Sequence, residues 1–147
     1  MKVTEILRDH GHPVFAVPAD RPILDAIRIL VDRNIGSLLV TGADGQVAGL
    51  LTERDVLRAC DRRHGVLVET AVGEVMTRNP PTATPDDDLD ELQTTMTERR
   101  VRHLPIVQDG RVVGLVSLGD LVKTLHRAAE MENRDLKDYI AGKYTTV

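Results

Sequence analysis

The chain has 147 residues, enough for one compact domain or two very small ones, and with 41% hydrophobic residues but only 2% aromatics its core must be built from Val, Leu, Ile, Ala and Met. Lys and Arg number 19 against 23 Asp and Glu, a net charge of −4 with no basic run, which argues against duplex DNA or an anionic membrane as a main partner; the few aromatics leave no stacking platform for single-stranded nucleic acid. The single cysteine, Cys60, has no internal disulfide partner, "MKVTEILRDHG" lacks the apolar region of a signal peptide, and no stretch is apolar enough to span a bilayer, so the expected compartment is cytoplasmic.

In chain order, "VTEIL" from Val3 precedes a short extended piece around Val14 to Val17 that stops at a proline. Ile23, Ala26, Ile27, Leu30 and Val31 then fall at helical spacing behind Asp20 and Pro22. "SLLV" and "QVAGLL" flank Asp44-Gly45, an Asx-Gly hairpin signal, and a second helix begins at Thr52. Arg62 to Glu69 reads as a linker. The same order returns. An extended piece at Pro81 to Thr84 leads to a weaker helix with Leu89, Leu92 and Met96 behind Pro85-Asp86; "HLPIV" and "RVVGLV" flank Asp109-Gly110, and a helix starts at Ser117.

These are two copies of one unit. Val47, Gly49, Leu50 and Asp55 recur as Val112, Gly114, Leu115 and Asp120, each 65 residues on, while "NIGSLLV" pairs with "RVRHLPI" at 66 and "VTEIL" with "VGEVM" at 69. The expected fold is α/β, two β-α-β-β-α repeats over residues 1–66 and 67–125 sharing one core, with a helical extension over 126–147. Leu121, Leu125, Ala128, Leu136 and Ile140 give that last helix an apolar stripe, which either covers the chain's own core or forms a further surface.

Thr52-x-x-Asp55 and Ser117-x-x-Asp120 both fit a capping box, in which hydroxyl and carboxylate satisfy the first amides of a helix. Each also follows a strand glycine, Gly49 or Gly114, where something must approach the backbone closely, and a ligand is one such thing. Free amides and the positive end of a helix dipole attract phosphate, and a carboxylate can accept two hydrogen bonds from a ribose diol. Capping and nucleotide binding both remain open on the residues alone.

With "GLLTERD", "GLVSLGD" and "RHLPIV" in register, residues 1–125 resemble a tandem pair of CBS domains, the cystathionine β-synthase type of module, also called a Bateman module; "TERDVLR" and "MENRDLKDYIAG" further resemble small bacterial proteins made of such a pair alone. The resemblance implies an adenosine-nucleotide site at Thr52 and Asp55 in one half and at Ser117 and Asp120 in the other. It also places Gly36 and Ser37 against phosphate in the first half's site, and Arg102 and His103 in the second's. It implies AMP, ADP or ATP as ligand, with NAD or S-adenosylmethionine as alternatives, and a homodimer that signals to a regulated protein. No catalytic cofactor is expected, since no nucleophile is set beside a base and an orienting group; the competing reading is a constitutive scaffold without ligand.

Weaker features have simpler explanations. His10-x-His12 and Cys60-x-x-x-His64 each offer two ligands where a structural zinc site wants four, so no metal is assigned. Asp86-Asp87-Asp88 falls where carboxylates cap a helix, and Arg99, Arg100 and Arg102 form a small basic cluster.

Overall fold

The computed structural model describes residues 1–10 and 13–142. The first repeat comprises β1 (Ala16–Pro18), α2 (Ile23–Arg33), β2 (Ser37–Thr41), β3 (Val47–Thr52) and α3 (Glu53–Arg62), preceded by α1 (Val3–His10). Next come α4 (Val72–Val75), β4 (Thr77–Arg78), α5 (Leu89–Arg99), β5 (His103–Gln108), β6 (Arg111–Ser117) and α6 (Leu118–Ile140). The mixed α/β architecture is the expected one. One sheet has the order β1-β2-β3-β4, with β1 parallel to β2 and the other pairs antiparallel; the second is the β5-β6 hairpin. Asp109 and Gly110 take φ of 52° and 76°, the positive values that a tight hairpin turn demands. The second repeat's counterpart of β1 is reduced to a single parallel bridge, Ala83 to Ile106.

The helices close in equivalent ways. Asn34 and Arg100 end α2 and α5 in the left-handed region, with φ of 51° and 53°. Apolar residues at helical spacing turn inward: Ile23, Ala26 and Leu30 from α2, and Leu89, Leu92 and Met96 from α5, are all buried.

Two core clusters form, where the sequence suggested one, and the chain exchanges a segment between them. Val3 and Ile6 of α1 lie in the second repeat's core, among Leu89, Leu92, Leu104, Ile106 and Leu121. Leu67 and Val72 lie in the first repeat's core, among Ile23, Leu38, Val40 and Leu51. Matching backbone bonds fix both docks: Val3 N–H to the Asp87 carbonyl (2.9 Å) and Leu89 N–H to that of Met1 (3.0 Å), then Val72 N–H to Arg21 (2.9 Å) and Ile23 N–H to Thr70 (2.8 Å). The "VTEIL" and "VGEVM" segments thus do the same job in opposite halves. A division at residues 66 and 67 follows the repeat along the sequence, whereas the packed units are interleaved. The physical reason is that each half leaves an apolar helix face uncovered, and the segment preceding the other repeat supplies the cover.

In α6 the inner half packs, with Leu121 and Thr124 buried and Leu125 against the core, while Leu136 and Ile140 are 58% and 76% exposed. The apolar stripe therefore covers the chain's own core only as far as Leu125.

Ile6→Ala should lower unfolding stability by about 2–5 kcal/mol, the usual cost of emptying an aliphatic core site. Urea denaturation measures the loss. Amide exchange should show it first in β5 and β6, although Ile6 belongs by sequence to the first repeat.

Candidate functional site

Both hydroxyl–carboxylate pairs form complete capping boxes. The Asp55 amide donates to the Thr52 hydroxyl (3.2 Å), and the Asp55 Oδ2 accepts from the Thr52 amide (2.9 Å) and hydroxyl (3.1 Å). In the second repeat the Asp120 amide donates to the Ser117 hydroxyl (3.1 Å) and the Asp120 Oδ2 accepts from the Ser117 amide (3.0 Å). Both aspartates are buried. The other Asp55 oxygen accepts from the Thr77 hydroxyl at 3.0 Å, a residue the repeat pattern did not single out.

The strand glycines have a different explanation from the one the sequence suggested. A Cβ on Gly49 would collide with the Thr77 carbonyl oxygen, because β4 pairs along β3 there. A Cβ on Gly114 would stand 2.5 Å from Leu7 Cδ2 of α1. In both cases the close neighbour is the chain's own exchanged segment.

One further backbone bond is made twice. Glu53, the first residue of α3, donates its amide to the Gly36 carbonyl (3.1 Å), and Leu118, the first of α6, donates to that of Arg102 (2.8 Å). The residues before β2 and β5 are thereby held against helix starts.

These constraints create a cleft of about 860 Å³ between the repeats. Thr52, Asp55, Arg54 and Arg58 enter from α3 and its cap, Arg100, Arg102 and His103 from the approach to β5, and Thr77 from β4. Its volume suits a drug-sized ligand. The four arginines are exposed and make no ion pair among the described residues. Gly36 lines a smaller cleft of about 440 Å³ with Asn34, Ile35, Ile27, Leu30, Val31, Val56 and Glu53. Ser37 is buried at the start of β2. Ser117 and Asp120 line neither cleft, although their neighbour Leu118 lines the larger one. So the structure gathers Thr52 and Asp55 of the first repeat with Arg102 and His103 of the second, and it does not gather each repeat's residues by themselves. Arg54, Arg58, Arg100 and Thr77 join them; their signal in the sequence was only charge or hydroxyl chemistry beside a motif.

His103 sits where the repeats meet. Burial holds its imidazole below the ordinary value of 6.5, Glu53 and Asp120 pull it back up, and Arg102 pushes it down. Among the described residues no group of three or more His, Cys, Asp and Glu side chains could hold a metal; His12 and the His10 side chain lie outside them. The acidic run does not cap α5 by side chain: Asp87 accepts from the Thr84 amide and hydroxyl (both 2.9 Å), and Asp88 stands at the N-cap position with its carboxylate 4.0 Å from Lys2 Nζ.

The CBS domain family profile matches residues 3–62 and 72–127. The chain belongs to the CBS domain family. As a CBS pair it is similar to the CBS-domain containing protein ATU1752 from Agrobacterium tumefaciens, with 35% identity and a TM-score of 0.79 over 83% of this chain and 91% of that one. A protein with CBS domains from Burkholderia ambifaria gives 36% identity and a TM-score of 0.80, covering 85% and 93%. The CBS domain pair of protein MJ0100, crystallised with 5'-methylthioadenosine and S-adenosyl-L-methionine, gives 27% identity and a TM-score of 0.76, covering 87% and 98%. Among curated relatives, CBSX3, a mitochondrial CBS domain-containing protein of Arabidopsis thaliana, is 33% identical over 85% of this chain; the match spans 63% of that protein's own length. No helix among the described residues is long and apolar enough to cross a membrane.

His103 carries a pH consequence. Its native state disfavours the proton more than the unfolded chain does, so stability present above the unfolded value of 6.5 is lost as pH falls through it toward the lowered native value. Thermal unfolding between pH 7.5 and 5.5 should show this decline, and His103→Gln should flatten it.

Proposed function

We propose that this CBS pair is a regulatory sensor that binds an adenosine nucleotide in the larger cleft, the ribose at Thr52 and Asp55 and the phosphate toward Arg102 and His103. The observation that carries the reading is the joining, in one cleft, of a buried carboxylate at a helix start and four arginines without ion-pair partners among the described residues. A buried Asp already organised by its own cap is ready to accept a diol, and guanidinium groups give phosphate charge-assisted bonds. Ser117 and Asp120, which form the same capping box at the start of α6, are the corresponding ribose group for a second ligand, with Gly36 and Ser37 in the places that Arg102 and His103 take for the first. That side has Asn34 and Gly36 where the larger cleft has Arg100 and Arg102, so it favours nucleosides over nucleotides. The crystallised MJ0100 pair supports an adenosine-type ligand.

The reading is one of binding without turnover. Its output is a regulated partner protein or self-association as a homodimer, for which the exposed Leu136, Tyr139 and Ile140 at the end of α6 offer apolar surface. One free, half-buried cysteine fits the reducing cytoplasm.

A thermal-shift panel of adenosine, AMP, ADP, ATP, NAD and S-adenosylmethionine tests it, because a ligand selective for the folded state must raise the melting temperature. If none does, the scaffold reading replaces this one. Calorimetry of two variants then tests the residues. Asp55→Ala should weaken adenosine and AMP alike by about 1.5–3 kcal/mol, the worth of hydrogen bonds to a charged group. Arg102→Ala should weaken AMP and ATP by roughly tenfold, about 1.4 kcal/mol, and leave adenosine unchanged. Equal losses for adenosine and ATP would remove Arg102 from the phosphate.

A further inference from the structure

Glu53 lines both clefts at once. Its amide is fixed to the Gly36 carbonyl, so the side chain leaves α3 at the seam between the repeats. A Cβ on Gly36 would stand 2.6 Å from Glu53 Oε1 and 2.8 Å from His103 Nε2, which means that carboxylate and imidazole crowd the same bare stretch of backbone. The second repeat departs from this pattern. Leu118 holds the equivalent position with the equivalent backbone bond, and it presents an apolar side chain to the larger cleft. Charge is therefore divided across the seam: Arg54, Arg58, Arg100 and Arg102 stand in the larger cleft, while in the smaller one Glu53 is the charged member of an otherwise neutral lining.

We propose that Glu53 is a specificity-determining residue, whose carboxylate holds the phosphate of a bound nucleotide to the arginine side of the larger cleft and bars it from the smaller one. The assignment of the nucleotide rests on the function proposed above; the repulsion of phosphate does not. A carboxylate a few ångströms from a phosphate dianion in a half-enclosed site opposes it by on the order of tenfold in affinity once solvent screening is included.

The test is calorimetric titration of the full chain with inorganic pyrophosphate, AMP and adenosine, comparing Glu53→Gln, Glu53→Leu and a control, Glu132→Gln, on the exposed end of α6. Both Glu53 variants should bind pyrophosphate and AMP about tenfold more tightly, a shift of about 1.4 kcal/mol, with adenosine within twofold and the control unchanged. Unaltered pyrophosphate affinity in the Glu53 variants overturns the proposal. So does an equal gain in Glu132→Gln, which would reduce the effect to net charge, or a parallel gain for adenosine. If adenosine binds none of the proteins while the pyrophosphate gain appears, the role of Glu53 stands and the adenosine reading falls.

Discussion

Each repeat leaves one side of its core open, and the segment that closes it comes from ahead of the other repeat. Val3 and Ile6 seal the second core, Leu67 and Val72 the first, and in each case a backbone bond in both directions locks the dock. Because all four side chains are buried, neither half presents a finished core without the other's leading segment. The arrangement converts two units, each too small to bury much surface, into one cooperative structure. It also brings the two repeats' loops face to face at one seam.

The cleft follows from that seam. A hydrogen bond from the first amide of α3 to the residue before β2, and from that of α6 to the residue before β5, holds loop and helix start together in both halves. The Thr52–Asp55 capping box then holds the Asp55 carboxylate in place, so that this group of the cleft is oriented before any ligand arrives.

The repeat, the hairpins and both capping boxes were legible because each rests on local chemistry: Asx-Gly between apolar runs, or hydroxyl and carboxylate three residues apart. The exchange of α1 and α4 was not, although the matching segments were visible as "VTEIL" and "VGEVM"; resemblance between two segments does not say which core each will cover. Gly49 and Gly114 show the same limit. Their demand for close approach was readable, yet the approaching groups, Thr77 and Leu7, are supplied by tertiary packing. Likewise Arg102 and His103 were read with the aspartate of their own repeat, while the fold sets them in one cleft with Thr52 and Asp55.

Arg100 occupies a left-handed backbone position, φ 53°, where its repeat-mate Asn34 is a residue that tolerates such geometry. For a long side chain that conformation carries a penalty of roughly 1–2 kcal/mol, which glycine would avoid. Arg100 nevertheless lines the cleft. Conformational preference and electrostatic placement pull this position in opposite directions, so a chain optimised purely for folding would discard the arginine. The two halves of the molecule thus record different compromises at the same bend, one relaxed and neutral, the other strained and charged.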